Sequence, residues 1–63
     1  MPNPFLVSNL ESRPTSMLTA KAEEYRLLIV RMRQFNNSTV VRMREEVEVA
    51  RSEILAEIER RKG

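Results

Sequence analysis

Arginine supplies the most concentrated chemistry in this 63-residue sequence. No acidic residue lies between Glu24 and Glu45, and the same stretch contains five arginines. Guanidinium groups bind carboxylates and phosphates through paired hydrogen bonds. The candidates for contact with an anion or an acidic partner are the four arginines that flank the middle of this stretch, Arg31, Arg33, Arg42 and Arg44. The alternative is that they form a solvated charged face beside a helical seam.

The composition lacks the residue types on which most catalytic and metal sites depend. The chain has no Cys, no His and a single Gly, and all nine acidic residues are Glu. A thiolate nucleophile, an imidazole base, a Cys or His metal site and a glycine-rich phosphate loop are therefore excluded. We expect a protein that is not an enzyme, with no catalytic residue, cofactor, metal ion or small-molecule substrate.

The prolines divide the chain into two regions. All three prolines lie within residues 1–15, and residues 16–62 contain neither Pro nor Gly. Because Pro lacks the amide proton and clashes with a preceding helical turn, residues 1–15 are predicted to form an extended docking arm. The arm would lie in a groove, either on the chain's own helices or on a partner. Its predicted partner-binding residues are Phe5, Leu6, Val7 and Leu10.

The triplet Asn3-Pro4-Phe5 lies near the start of the arm. Asn followed by Pro favours a tight turn, which would present the side chain of Phe5. We expect this turn to anchor Phe5 in a neighbouring groove. The triplet also resembles the short motif that EH domains of eukaryotic trafficking adaptors recognise.

Residues 16–63 are predicted to be helical, with a turn at 36–39. Good helix formers dominate this region, and only the segment Asn36-Asn37-Ser38-Thr39 interrupts it. Thr15 or Ser16 is the predicted N-cap of the first helix. Apolar residues recur at spacings of three and four on both sides of the turn, as in a coiled coil. The predicted packing stripe consists of Leu18, Tyr25, Ile29, Met32, Val40, Met43, Val47, Ile54 and Ile58.

Two all-α architectures fit this pattern. The preferred one is a helical hairpin preceded by the arm, and the alternative is one coiled-coil-like helix of about 70 Å. The long helix requires a four-residue insertion in the repeat. In the hairpin, arginines of the two helices would face each other near the turn. This arrangement gains nothing unless an anion or an acidic partner lies there.

The chain carries more apolar faces than one hairpin can bury. Leu27, Val30, Val41, Val49 and Leu55 lie off the two stripes, and a domain of this size is marginally stable alone. This predicts a non-enzymatic protein–protein interaction or assembly subunit, a small structural linker, adaptor or cement component. It would act as a homo-oligomer or within a larger hetero-complex. The alternative is a nucleic-acid-associated accessory protein that contacts phosphates through its arginines, although the formal net charge is only +2.

No segment of the sequence has the character of a membrane span. The longest apolar run, Leu27-Leu28-Ile29-Val30, is far too short to cross a bilayer. The N-terminal region lacks the basic leader and the apolar run of a signal peptide. We therefore expect a soluble protein, cytoplasmic or otherwise intracellular, with no signal peptide, transmembrane segment or membrane insertion.

Overall fold

Two helices joined by a short turn form the body of the protein. The computed structural model describes residues 2–62. Helix α1 spans Thr15–Met32 and helix α2 spans Ser38–Lys62. The longest dimension of the molecule is 38 Å, which a single helix of about 70 Å would far exceed. The predicted all-α hairpin is therefore confirmed, and the single long helix is excluded.

The turn occupies residues 33–37, slightly earlier than the predicted 36–39. Ser38 and Thr39 belong to α2. Asn37 caps this helix, because its side-chain Oδ1 accepts a hydrogen bond from the backbone N–H of Val40 at 2.9 Å. Asn is among the strongest N-capping residues, since its short side chain reaches the unpaired N–H groups of the first turn.

The arm consists of turns and a short 3₁₀ helix at Leu10–Ser12, so it is only partly extended. Asn9 precedes this helix with φ 54°, the only positive φ among the non-glycine residues of 2–62. Asn tolerates the left-handed region better than most residues with a Cβ atom. Helix α1 then begins after Pro14 without a side-chain cap. The predicted caps, Thr15 and Ser16, lie inside the helix because Pro14 already supplies the extended residue at its start.

The core is a single seam between the two helices. Leu18, Val47 and Ile54 are completely buried in it, and the small residues Ala22 and Ala50 share the seam. The predicted stripe divides into five buried residues (Leu18, Tyr25, Ile29, Val47, Ile54), three partly buried residues (Met32, Val40, Ile58) and Met43, which is 39% exposed. Neither α1 nor α2 has the combination of length and hydropathy that a membrane-crossing helix needs.

The buried seam predicts that alanine substitutions at two adjacent positions lower the free energy of unfolding by very different amounts. Ile54→Ala should lower the free energy of unfolding by about 2–5 kcal/mol, because removing a fully buried side chain leaves a cavity. The neighbouring Leu55 is 40% exposed, so Leu55→Ala should cost about 1 kcal/mol or less. Urea denaturation followed by circular dichroism measures both values. Equal losses for the two variants would contradict the seam.

Candidate protein-interaction surface

The arm lies on the hairpin of its own chain, and three contacts hold Phe5 there. The Tyr25 hydroxyl donates a hydrogen bond to the Phe5 carbonyl at 2.7 Å. The side-chain Oδ1 of Asn3 accepts a hydrogen bond from the Phe5 N–H at 2.9 Å. The Phe5 and Tyr25 rings meet edge to face, with centroids 6.0 Å apart, a favourable aromatic geometry. Asn3 Nδ2 also donates to the Glu46 carbonyl of α2 at 2.7 Å, so this turn anchors the arm to both helices.

Three of the four arm residues predicted to bind a partner lie against the chain's own core. Phe5, Val7 and Leu10 are partly buried there, whereas Leu6 is 43% exposed. Of the two grooves considered from the sequence, the structure therefore shows the intramolecular one. Binding of a partner by these side chains stays a prediction, and Leu6 is the residue with most surface free for it.

A nearly buried carboxylate joins the end of the hairpin to the arm. The side chain of Glu57 is 9% exposed and accepts hydrogen bonds from Arg60 at 2.6 and 3.0 Å and from Arg61 at 2.9 Å. Arg61 in turn donates to the Leu10 carbonyl at 3.0 Å and to Thr15 Oγ1 at 2.9 Å. One guanidinium group thus connects α2, the start of α1 and the 3₁₀ helix.

Hydrogen bonds from Arg60 and then Arg61 hold the pKa of Glu57 below its ordinary value of 4.5. Glu57 is not among the predicted site residues, although its position three residues after Ile54 continues the buried stripe. Its role is structural, because it holds Arg60 and Arg61, and Arg61 reaches the arm.

The four central arginines lie on separate surfaces. Arg31 is on the outer side of α1, and Arg42 is beside the first residues of α2. Arg44 is paired with Glu48, with 3.6 Å between Nε and Oε1. Arg33 lies in the groove between the helices, which Glu48 also lines. Side chains two positions apart on a helix point in different directions, so the four arginines do not form one cluster.

An open groove runs between α1 and α2 on the side that the arm leaves uncovered. It consists of two clefts that share Arg51 and Leu55, and none of residues 2–14 lines either cleft. Its apolar lining is Ala22, Ile29, Val30, Leu55 and Ile58. Its charged lining is Glu23, Arg26, Arg33, Glu48, Arg51 and Lys62. Arg51 bridges the two helices, because its Nε donates to the Ala22 carbonyl at 3.1 Å.

Most apolar residues that lie off the stripes remain exposed in the folded chain. Leu27 and Val49 are 50% and 51% exposed, and Val30 and Leu55 are 48% and 40% exposed. Val41 is partly buried. Phe35 in the turn is 55% exposed, the largest value among these side chains. The hairpin and its arm therefore leave apolar surface uncovered on both helices.

The contacts around Phe5 predict that Asn3 and Tyr25 act together. Tyr25→Phe removes the donor to the Phe5 carbonyl and should lower the free energy of unfolding by about 1 kcal/mol. Asn3→Ala should have a similar effect. Because both side chains hold the same residue, the double variant should lose less than the sum of the single losses, by roughly 0.5 kcal/mol or more. A double-mutant cycle by urea denaturation measures this coupling, and strict additivity would contradict a shared anchor.

The lowered pKa of Glu57 predicts that the folded chain loses stability as the pH falls. The folded-state pKa lies below the ordinary value of 4.5, so the carboxylate stabilises the fold fully above that pH. The stabilisation is lost as the pH falls through the folded-state pKa. Glu57→Gln should therefore be less stable than wild type at pH 7 and should lose less stability on acidification below pH 4.5.

The matched control for this prediction is Glu59→Gln, since the side chain of Glu59 is 77% exposed. This variant should follow the wild-type stability profile from neutral to acidic pH. Urea denaturation at a series of pH values measures all three proteins. Parallel profiles for wild type and Glu57→Gln would contradict a structural role for this carboxylate.

The candidate surface thus consists of an open groove and exposed apolar side chains on both helices, and the arm occupies a different side. Its assignment rests on the geometry of these residues alone. A comparison of the chain with protein-family models, curated proteins and solved structures found no match.

Proposed function

We propose that this chain is a non-enzymatic assembly subunit, which binds another protein chain through the apolar surface that its hairpin leaves uncovered. The observation that carries the proposal is the exposure of Leu27, Val30, Val49 and Leu55, which is 40–51% although the arm has already folded back on the hairpin. Val30 and Leu55 line one cleft between the helices, and Leu27 lies beside Val30 on α1. Adjacent exposed apolar side chains of this kind are typical of interaction sites.

Because the chain is short, burial of this surface against a partner would contribute to the stability of its fold. A folded domain of about 60 residues is marginally stable, and this one has no disulfide bond to support it. Burying a Leu or Val side chain completely contributes about 1.5–3 kcal/mol, so each half-exposed residue could still gain about 1 kcal/mol at an interface. A partner that binds only the folded chain would add this free energy to its stability.

The uses that fit such a subunit are those of a linker, an adaptor or a cement component, in a homo-oligomer or in a hetero-complex. The nucleic-acid alternative has less support, because Arg31, Arg33 and Arg42 lie on three different surfaces. Nucleic-acid proteins instead place several cations along one strip, where they contact successive phosphates.

The proposal predicts that association depends on the four exposed apolar residues. Replacing Leu27, Val30, Val49 and Leu55 with Gln should remove self-association or partner binding while leaving the helix content unchanged, since none of the four is buried. Light scattering after size exclusion measures self-association. Chemical cross-linking in an extract of the producing cells, followed by quantitative mass spectrometry, compares the partners of wild type and variant.

The matched control is the double variant Ala20→Gln/Ala56→Gln, which changes one exposed residue on each helix without removing a large apolar side chain. It should associate as the wild-type protein does. A wild-type chain that stays monomeric at high concentration and cross-links to the same proteins as the fourfold variant would contradict the proposed function.

A further inference from the structure

We infer that the groove between α1 and α2 binds an acidic amphipathic helix of another protein. This inference rests on the proposed assembly function and names the chemistry of the partner. The groove is lined along α1 from Thr15 to Arg33, a distance of about 27 Å at ~1.5 Å per residue. A helix of about 18 residues has this length. Laid in the groove, it would complete a three-helix arrangement.

The apolar residues of the groove suit the apolar face of such a helix. Ala22 and Ile29 form the floor, where they are 5% and 8% exposed. Val30 and Leu55 rise on opposite helices and keep 48% and 40% of their surface exposed. Ile58 continues the apolar lining toward the other end. An amphipathic helix that docks in a groove inserts side chains at spacings of three, four and seven residues, which matches an apolar strip of this length.

The charges that line the groove favour an acidic partner. Four basic and two acidic side chains line its two clefts. Both acidic residues are already paired within the chain, Glu23 with Arg26 and Glu48 with Arg44. Two of the four basic residues are paired as well, Arg26 with Glu23 and Lys62 with Glu59. In the part of the chain that the structure describes, the basic excess of the groove therefore rests on Arg33 and Arg51.

Arg33 and Arg51 are the two cations that define this excess. Within residues 2–62, no carboxylate oxygen lies within 4.0 Å of either guanidinium group. Arg51 uses Nε to bind the Ala22 carbonyl at 3.1 Å, which holds its side chain across the groove. Arg51 lines both clefts of the groove, and its Nε bond leaves the two terminal nitrogens as further donors. A guanidinium group in this position is suited to paired hydrogen bonds with a carboxylate.

A second copy of this chain fits the groove less well than an acidic segment. A twofold dimer would place the same surface on both sides of the interface. Arg33 and Arg51 of each copy would then enter one interface, and like charges brought together in an interface are repulsive. An acidic helix avoids this repulsion and supplies the carboxylates that the groove lacks.

Designed peptides test the partner chemistry directly. The probe is a fluorescently labelled peptide of about 18 residues, with Leu at heptad positions a and d and Glu on its flanking positions. The comparison peptide keeps the same Leu residues and replaces each Glu with Lys. Fluorescence anisotropy with the full chain should give a dissociation constant at least roughly tenfold lower for the acidic peptide, and high salt should reduce the difference.

Two double variants separate the groove from the rest of the apolar surface. Val30→Gln/Leu55→Gln should weaken binding of the acidic peptide by roughly tenfold. Leu27→Gln/Val49→Gln changes side chains of similar exposure that do not line the groove, and it should bind the peptide as wild type does. Arg33→Gln, at an exposed position, should weaken binding of the acidic peptide and strengthen binding of the basic one, because it removes a positive charge from the groove.

Several outcomes would overturn the inference. Equal affinity for the acidic and basic peptides, or equal weakening by the two double variants, would exclude an acidic helix in this groove. A dimer in light scattering that Val30→Gln/Leu55→Gln abolishes would identify a second copy as the occupant, and the proposed assembly function would stand. If no association depended on any of the four exposed apolar residues, the assembly function itself would fail.

Discussion

The seam in which Leu18 of α1 packs with Val47 and Ile54 of α2 sets the position of everything else in the molecule. These three side chains are completely buried, and close packing of this kind permits only one register between two helices. That register brings Arg51 to within 3.1 Å of the Ala22 carbonyl and Arg61 to within 2.9 Å of the Thr15 hydroxyl oxygen. The groove on one side of the hairpin and the docking site of the arm on the other are both consequences of the seam.

The arm covers apolar surface that two helices alone leave exposed. Two helices bury one stripe each and leave both flanks of the seam open. Phe5, held at its N–H by Asn3 and at its carbonyl by Tyr25, helps to cover one of these flanks. Because the backbone groups of Phe5 are paired, its side chain is brought toward the core without leaving unsatisfied polar groups. Arg61 fixes the other end of the arm by binding the Leu10 carbonyl at 3.0 Å.

The two flanks of the seam therefore differ in kind. One flank is covered from within the chain, by a segment whose prolines prevent it from joining the helices. The other flank remains open, with Val30 and Leu55 exposed and with Arg33 and Arg51 beside them. Within residues 2–62 neither of these cations forms an ion pair with a carboxylate. The proposed assembly function rests on this asymmetry, because the apolar surface would drive association and the cations would favour acidic partners.

Local patterns in the sequence were sufficient for the all-α class, for most of the buried stripe and for the exposed apolar residues, and they favoured the hairpin over one long helix without deciding between them. Each of these depends on helical periodicity and on Pro, Gly and Asn at short range. Local patterns leave open whether the arm lies on its own helices, place the arginines near the turn in one group and do not mark Glu57 as buried. These features depend on how α1 and α2 rotate about their axes when they pack. The rotation decides that Arg33 and not Arg31 lines the groove, that Glu57 turns inward to Arg60 and Arg61, and that the arm covers one flank of the seam. Periodicity along one helix does not contain this information, because the rotation follows from side chains that meet across the seam and are distant in the chain.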